Sequence, residues 1–326
     1  MALHYKHCAV RMITGLLLCC AVSLLLGPSA SDGRSAFADG RRFFYSGNGW
    51  IHLAAQKSEA EFRGRYRSET GSYDPDALGQ ICRVFGAPYH PSQAGISLRL
   101  IEFLDFLEDR YRQGTRITIT SGYRNPTYNT TLRQQGRLAA KASLHQYGMA
   151  ADLIMQDVPS KRIWLDVKAL GFGGVGYYQG KTVHIDVGPA RSWDQTTSGV
   201  GTGISDDNKL IGLVTDYDIY RSGEPIVLRF IRMTAFPIGV KPEFVLESSG
   251  RRVPSATVFK PSFVVDVTTA CPAFESIEQM NDICWELPPT IAAGRYRIRA
   301  VFCKNPYPDM PKEVRTPEFE ISAGGP

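Results

Sequence analysis

Two histidines and one aspartate near the middle of the chain have the residue types and the order of a divalent-metal site. His145 and Asp152 lie seven residues apart in the segment SLHQYGMAAD, and His184 follows in the run VHIDVG. Two imidazoles and one carboxylate can hold zinc and leave one tetrahedral position open for water. Iron and manganese accept similar ligands. A bound metal lowers the pKa of its water to about 7 and polarises a carbonyl group, so this set predicts a hydrolase.

Three predicted strands can bring these side chains together. Alternating or β-branched sequences predict strands over 116–121, 150–155 and 182–187. In the last of them the valines and the isoleucine share one face, while His184 and Asp186 share the other. The apolar face can pack against helices while His184 and Asp186 face a cleft. Pairing with the strand that carries Asp152 would place His184 beside that carboxylate.

Helices are predicted around these strands. The spacing of the leucines over 97–111 is that of an amphipathic helix, and Gly114 follows as a stop signal. Ser160 can cap a second helix that Gly171 ends. A short helix is expected over 74–84 and a partly helical segment over 128–140. Residues 39–71 are expected to form one or two short strands along an edge.

The first 38 residues have the order of a secretory signal peptide. Lys6 and Arg11 precede an apolar run of about fifteen residues, which is short for a membrane span of about 20. Ala36 and Ala38 form an A-x-A cleavage site. Removal of residues 1–38 takes away three basic residues and one acidic residue, which reduces the net charge from +5 to +3. That charge is too small to argue for a nucleic-acid partner, and the mature chain is expected to have no integral membrane span.

The chain is long enough for two domains, and its character changes after residue 208. Its 326 residues, 43% of them hydrophobic and 21% charged, are typical of a globular protein. We expect an N-terminal domain over 39–198, a glycine-rich linker over 199–208 and a β-sandwich, of the immunoglobulin-like type, over 209–326. Six strands are predicted in the sandwich, over 209–215, 226–233, 244–247, 263–269, 296–302 and 318–321.

Four of the seven cysteines would remain after removal of the signal peptide. Cys271, Cys284 and Cys303 lie near the end of the chain, and export makes one disulfide among them plausible. The sequence does not fix the pairing. A structural zinc site is the alternative, but no C-x2-C pair supports it.

The motifs of the N-terminal domain resemble those of M15-like zinc peptidases of the D-Ala-D-Ala carboxypeptidase and murein endopeptidase type, especially the DUF882 branch. The matching segments are SGYRNPTYN (Ser121–Asn129), SLHQYGMAAD (Ser143–Asp152), GFGGVGYY (Gly171–Tyr178) and VHIDVGPARSW (Val183–Trp193). The pattern S-x-H-x-x-G-x-A-x-D followed by H-x-D is specific when both parts occur in this order. The resemblance is strong over about 75 residues and does not extend to the last 120 or so.

The resemblance implies an α+β fold in which a small antiparallel sheet carries Zn²⁺. It implies that His145, Asp152 and His184 are the metal ligands. Arg124, in SGYR, matches an arginine that binds substrate or stabilises the developing oxyanion, although it could instead form a structural salt bridge. Tyr147 and Tyr178 are candidates for lining the substrate cleft, or for a plain aromatic wall.

One position departs from the pattern of these relatives. Many of them have an acidic general base three residues before the last histidine, where this chain has Lys181. A lysine cannot take the proton of a metal-bound water unless its pKa is strongly lowered. Asp186 is the candidate replacement, either as the base or as a carboxylate that orients a histidine ligand.

The resemblance therefore implies an exported zinc peptidase of the periplasm or cell envelope that cuts peptide bonds in peptidoglycan stem peptides, as an endopeptidase or a carboxypeptidase. Two alternatives belong to other classes. One is a non-catalytic cell-wall or peptide-binding protein on the same scaffold, which Lys181 favours. The other is an envelope structural protein whose sandwich is the working part.

Overall fold

The structure is a computed structural model that describes residues 41–90, 93–135, 139–198, 202–249, 256–265, 267 and 269–322. The predicted signal peptide and the first residues of the predicted linker lie outside these ranges. The described residues form four α-helices: α1 (Pro75–Val84), α2 (Leu98–Tyr111), α3 (Pro126–Gln134) and α4 (Ser160–Leu170). Asp74 caps α1 by accepting hydrogen bonds from the backbone N–H groups of Asp76 and Ala77.

Nine strands precede residue 195: β1 (Trp50–Ala55), β2 (Glu61–Arg65), β3 (Tyr89–His90), β4 (Gln93–Ala94), β5 (Ile117–Ser121), β6 (Ala150–Met155), β7 (Gly174–Tyr177), β8 (Val183–Asp186) and β9 (Arg191–Asp194). Seven of them form one sheet in the order β2-β1-β5-β6-β8-β7-β9. The pairs β1–β5 and β7–β9 are parallel and the others are antiparallel.

The sheet is larger than the small antiparallel sheet that we expected, and it is mixed. The chain between β1 and β5 contains β2, α1 and α2, which gives the long connection that a parallel pair requires. Helix α4 begins at Ser160 itself, one residue earlier than a cap at Ser160 would place it. Pro159 is the cap residue, and the Ser160 hydroxyl donates to the Gly180 carbonyl instead.

The acidic side of helix α2 is buried under the N-terminal strands. Arg67 donates from Nε to Glu102 Oε1 over 2.6 Å, and the Tyr66 hydroxyl donates to Asp105 Oδ2 over 2.8 Å. Burial raises the pKa of Asp105 and of Glu108 to about 7 in each case. The leucine pattern alone did not indicate this, because the N-terminal strands cover the polar side of the helix as well as its apolar side.

Eleven further strands lie in the described part of residues 212–322: β10 (Gly212–Thr215), β11 (Ile219–Arg221), β12 (Pro225–Ile231), β13 (Ile238–Gly239), β14 (Phe244–Ser249), β15 (Ala256–Phe259), β16 (Ala273–Phe274), β17 (Ile283–Glu286), β18 (Gly294–Val301), β19 (Glu313–Arg315) and β20 (Phe319–Ser322). One sheet has the order β10-β12-β17, and another has the order β11-β20-β18-β14-β15 with β19 beside β18.

This C-terminal region is β-rich, and its two larger sheets meet through aromatic side chains. Phe230 of β12 lies 6.3 Å from Phe244 of β14, measured between ring centroids. The expected strand over 263–269 is wrong for the residues described there, which are bends and irregular structure. Cys271 and Cys303 form a disulfide, so one bridge within the predicted cluster is present.

The β-rich region packs directly against the N-terminal part of the chain. Arg99 of α2 donates from Nε to Asp218 over 2.8 Å and from Nη1 to the Thr215 carbonyl over 3.0 Å. Arg42 forms a two-point ion pair with Glu224. Buried apolar side chains of both parts belong to one continuous core. Among the described helices, none has the length and apolar character needed to cross a bilayer.

Candidate metal centre

The segment that carries His145 is a short 3-10 turn closed by a glycine. The turn spans Leu144–Tyr147, and Gly148 follows with φ of 63° in the left-handed region. A Cβ atom on Gly148 would lie 2.0 Å from the carbonyl oxygen of Gly95. Position 148 therefore requires glycine for both its backbone conformation and its packing.

The His145 ring is held by a backbone carbonyl. Its Nδ1 lies 2.7 Å from the Gly122 oxygen. Because a carbonyl can only accept, Nδ1 carries the hydrogen and Nε2 keeps its lone pair. Nε2 lies 3.6 Å from Asp152 Oδ1, and the side chain is almost fully buried. Burial lowers the pKa of His145 below its ordinary value, which favours the neutral form that binds metals.

Strand pairing brings the other two residues together. Asp152 on β6 and His184 on β8 lie directly opposite each other in the antiparallel register, and Ser121 of β5 lies on the other side of Asp152. His184 Nδ1 lies 2.9 Å from Asp152 Oδ1. The odd-numbered residues of β8, Val183 and Ile185, are fully buried, in agreement with the predicted division of the strand into two faces.

The donor set fits a metal ion. One ligand atom from each of His145, Asp152 and His184 lies within 4.8 Å of the others. Nitrogen and oxygen ligands at zinc distances of about 2.0–2.1 Å are about 3.3 Å apart in a tetrahedron. The separations of 2.9 and 3.6 Å from Asp152 Oδ1 to the two rings are close to that value. A metal would bind His145 through Nε2 and His184 through Nδ1.

Asp186 holds the opposite side of the His184 ring. The ring Nε2 lies 2.9 Å from Asp186 Oδ2. Asp186 also accepts two hydrogen bonds from Arg191, over 2.9 and 2.6 Å, and further bonds from the backbone N–H groups of Gly174 and Gly188. The carboxylate is completely buried. Burial raises its pKa, but the Arg191 charge and the His184 bond outweigh burial and hold the pKa well below its usual range.

These contacts bear on the two roles considered for Asp186. A carboxylate with a strongly lowered pKa and five N–H contacts is a poor base for a water molecule. It is instead placed to fix the orientation and tautomer of a histidine ligand. The geometry therefore favours Asp186 as a positioning residue. Lys181, at the position where the resemblance implies an acidic base, is exposed.

Arg124 contacts the candidate ligand Asp152 from the side of β5. Its Nη2 donates to Asp152 Oδ2 over 3.0 Å, and Nε and Nη2 both donate to the Ser121 hydroxyl. The structural salt bridge considered for this arginine is thus present. It also holds the guanidinium next to the cluster, where it can act on a bound ligand.

The two tyrosines differ in position. The Tyr178 hydroxyl donates to Asp152 Oδ1 over 3.2 Å, and the residue is 38% exposed, so it forms part of the open wall of the site. Tyr147 is buried, and its hydroxyl accepts a hydrogen bond from the Met233 backbone N–H over 3.0 Å. That contact ties Tyr147 to the β-rich region instead of leaving its hydroxyl free for a ligand, contrary to our expectation.

Three further residues support the site, and the sequence reasoning gave them no role. Arg191 neutralises Asp186, Gly122 orients His145, and Gly174 leaves room for the Asp186 carboxylate. A Cβ atom on Gly174 would lie 2.2 Å from Asp186 Oδ2. All three belong to the motif segments, but only the folded register shows which ligand each one supports.

The α+β fold and the His-Asp-His cluster are those expected of an M15-type peptidase. Residues 46–193 match the model of the family Peptidase_M15_2, described as peptidoglycan L,D-endopeptidase MepK. The chain belongs to this family.

Individual relatives agree with this assignment. The chain is 31% identical over 153 residues to peptidoglycan L,D-endopeptidase MepK of Escherichia coli strain K12. The aligned residues cover 46% of this chain and 70% of that protein. It is also 37% identical over 82 residues to the probable peptidoglycan L,D-endopeptidase MepK of Haemophilus influenzae. This second alignment covers 25% of this chain and 44% of that protein. The family match ends at residue 193, before the β-rich region begins.

Proposed function

We propose that the protein is an exported, zinc-dependent peptidase that hydrolyses peptide bonds in peptidoglycan, most specifically as an L,D-endopeptidase. The observation that carries the proposal is the convergence of His145 Nε2, Asp152 Oδ1 and His184 Nδ1 within 4.8 Å. The family membership supports the substrate class, because the named relatives are peptidoglycan L,D-endopeptidases.

Each residue around the metal centre has a separate role in the proposed reaction. A metal bound there supplies an activated water and polarises the scissile carbonyl. Gly122 and Asp186 fix the two histidine rings, so that the lone pairs of His145 and His184 point at one position. Arg124 places a permanent positive charge beside Asp152, where it stabilises negative charge that develops on the carbonyl oxygen. The partly exposed Tyr178 forms the wall that a peptide meets.

The rest of the chain follows from this assignment. Residues 1–38 are a signal peptide that directs export to the periplasm or envelope. Residues 39–198 are the peptidase domain, 199–208 are a linker, and 209–326 are an immunoglobulin-like β-sandwich. The ion pair of Arg99 with Asp218 supports a sandwich that is fixed to the peptidase domain rather than tethered loosely.

One measurement tests the proposal: metal content together with digestion of purified peptidoglycan, for the wild type and for His184→Ala. We expect about one zinc per chain and soluble muropeptides from the wild type, and neither from the variant. Mass spectrometry of the products identifies the bond that is cut. His52→Ala is the matched control, because His52 pairs with Glu61 on β2, at the far edge of the sheet.

The second candidate is a non-catalytic peptide-binding protein on the same scaffold. Two observations favour it: Lys181 occupies the position of the expected base, and Asp186 is saturated with N–H donors. Zinc binding with no cleavage of any peptidoglycan preparation would establish this candidate and contradict the peptidase.

A further inference from the structure

A groove beside the metal centre is lined by cationic and aromatic side chains. It has a volume of about 370 Å³ and runs from the β1–β2 turn past the end of α1 to Arg124. This volume is within the range of about 300–1,000 Å³ that is typical of small-ligand sites. Phe85, Tyr123 and Tyr128 contribute to its walls.

Three positively charged residues line the groove: Lys57, Arg83 and Arg124. Arg124 is paired with Asp152. Lys57 and Arg83 are exposed, and neither forms an ion pair with a residue that the structure describes. None of the described residues that line the groove is acidic. Elsewhere in the N-terminal part, Arg42, Arg67, Arg99 and Arg191 each pair with a carboxylate. The groove therefore has uncompensated positive charge, which attracts anions.

The groove is built into the metal centre through Gly122. This glycine lines the groove, and its carbonyl accepts the hydrogen bond from His145 Nδ1. A Cβ atom here would lie 2.4 Å from the Phe85 carbonyl oxygen, and that same oxygen accepts from the Tyr123 N–H over 2.8 Å. The end of α1, with Arg83, is thus fixed against the loop that orients a metal ligand.

We propose that this groove is a binding subsite for a short peptide that carries free carboxylate groups, and that Arg83 and Lys57 recognise those carboxylates. The inference rests on the proposed function, since it names the part of the substrate that binds in the groove next to the metal centre. Arg83 offers a planar pair of donors that suits a carboxylate, and Lys57 adds a point charge at the far end of the groove. The aromatic walls accept the apolar parts of the peptide.

The test is a direct binding measurement that does not depend on cleavage. The probe is a single stem tetrapeptide released from peptidoglycan, which contains no cross-link, together with the same peptide after its carboxylates are converted to amides. Isothermal titration calorimetry at low and high salt gives the dissociation constants. The proteins are the wild type, Arg83→Gln, Lys57→Gln, the double variant and Arg110→Gln. Arg110 is the matched control, because it is also an exposed arginine in the last turn of a helix.

We expect each single variant to weaken binding of the acidic peptide about fivefold, as for exposed ion pairs, and the double variant about twenty-five-fold if the two act independently. Binding by the wild type should weaken as salt increases. The amidated peptide should bind weakly to every protein, and Arg110→Gln should match the wild type. Thermal unfolding curves identical to the wild type would show that the variants are folded.

The outcomes separate this inference from the proposed function. Unchanged affinity in the double variant, or an equal loss in Arg110→Gln, would overturn the subsite even if the enzyme cuts peptidoglycan. Charge-dependent binding without any cleavage would uphold the subsite and contradict the peptidase. A wild type that neither binds the acidic peptide nor cuts peptidoglycan would overturn both.

Discussion

Asp152 and His184 are directly opposite each other on two antiparallel strands, with 2.9 Å between Asp152 Oδ1 and His184 Nδ1. Directly opposed residues in an antiparallel pair have closely spaced Cβ atoms on the same face of the sheet. Two of the three candidate ligands are therefore positioned by sheet register. A shift of one residue would move His184 to the apolar face and destroy the site.

The first prediction concerns the carboxylate behind His184. Asp186→Asn keeps an acceptor for the histidine but removes the charge, so we expect metal affinity to fall about 10–100-fold. Activity at saturating metal should largely recover, with the pH profile unchanged. Chelator competition measures the metal affinity. Rates measured across pH at saturating zinc give the recovered activity and the pH profile. If Asp186 were the general base, activity would stay low at any metal concentration and the acidic limb of the profile would disappear.

The second prediction concerns the glycine that faces this carboxylate. In Gly174→Ala the new methyl group would overlap Asp186 Oδ2, at 2.2 Å, so the carboxylate must move away from His184. We expect a loss of about 1–3 kcal/mol in the free energy of unfolding, as for other overpacked sites, and weaker metal binding. Urea denaturation and chelator competition give the two quantities.

Gly180→Ala is the matched control for this variant, because the nearest atom to its added Cβ would be the Tyr178 carbonyl oxygen at 4.0 Å. Gly180 lies in the exposed loop between β7 and β8, whereas Gly174 is a buried residue of β7. An equal loss of metal affinity in both variants would show that Asp186 is not held in place by the space at Gly174.

Sequence periodicity and motif order predicted the strands that carry the cluster, because both depend on local rules. Strand β6 has the predicted bounds, 150–155, and His184 and Asp186 share a face as strand parity requires. The roles of Tyr147 and Asp186 depend instead on the residues that they contact in the folded chain. The contact of Tyr147 with Met233 joins residues 86 positions apart, and neither periodicity nor spacing carries that information.

The third prediction uses the buried acids of α2. The pKa of Asp105 is raised by burial from an ordinary 3.8 to about 7. A carboxyl group with a raised pKa stabilises the folded state below its unfolded pKa, and this contribution is lost as pH rises through about 7. The wild type should therefore lose stability between about pH 4 and pH 7.

Asp105→Asn should remove part of this decrease in stability with rising pH. The amide oxygen can still accept from Tyr66 and Gly49, and the amide nitrogen takes the place of Oδ1, which has no partner among the described residues. At pH 8 we expect the variant to be more stable than the wild type, by on the order of 2 kcal/mol. Urea denaturation at pH 5 and pH 8 measures the difference, with the exposed Asp76→Asn as control. A parallel pH dependence in wild type and variant would rule out Asp105 as the titrating group.

The fourth prediction concerns the junction with the β-rich region. Arg99 and Asp218 form an ion pair in which both side chains are less than 10% exposed. Asp218→Ala leaves the Arg99 charge buried without its partner, and such changes cost about 3–5 kcal/mol. Arg99 also donates to the Thr215 carbonyl, so the variant should loosen the docking of β10 against α2. Calorimetry should then show two unfolding transitions where the wild type has one.

The stability lost in Asp218→Ala has two possible causes: the loss of the ion pair, or the burial of an unpaired Arg99 charge. A variant that removes both charges distinguishes between them. Arg99→Met combined with Asp218→Ala should recover much of the stability lost in Asp218→Ala, because the cost arises mainly from the isolated guanidinium. If the double variant is as unstable as the sum of the single variants, the ion pair itself holds the two regions together.

The same junction is linked to the metal centre through Tyr147, which lies two residues after His145 and bonds to Met233. Metal affinity should therefore fall in every variant that separates the two regions. It should stay at the wild-type value in variants that do not separate them.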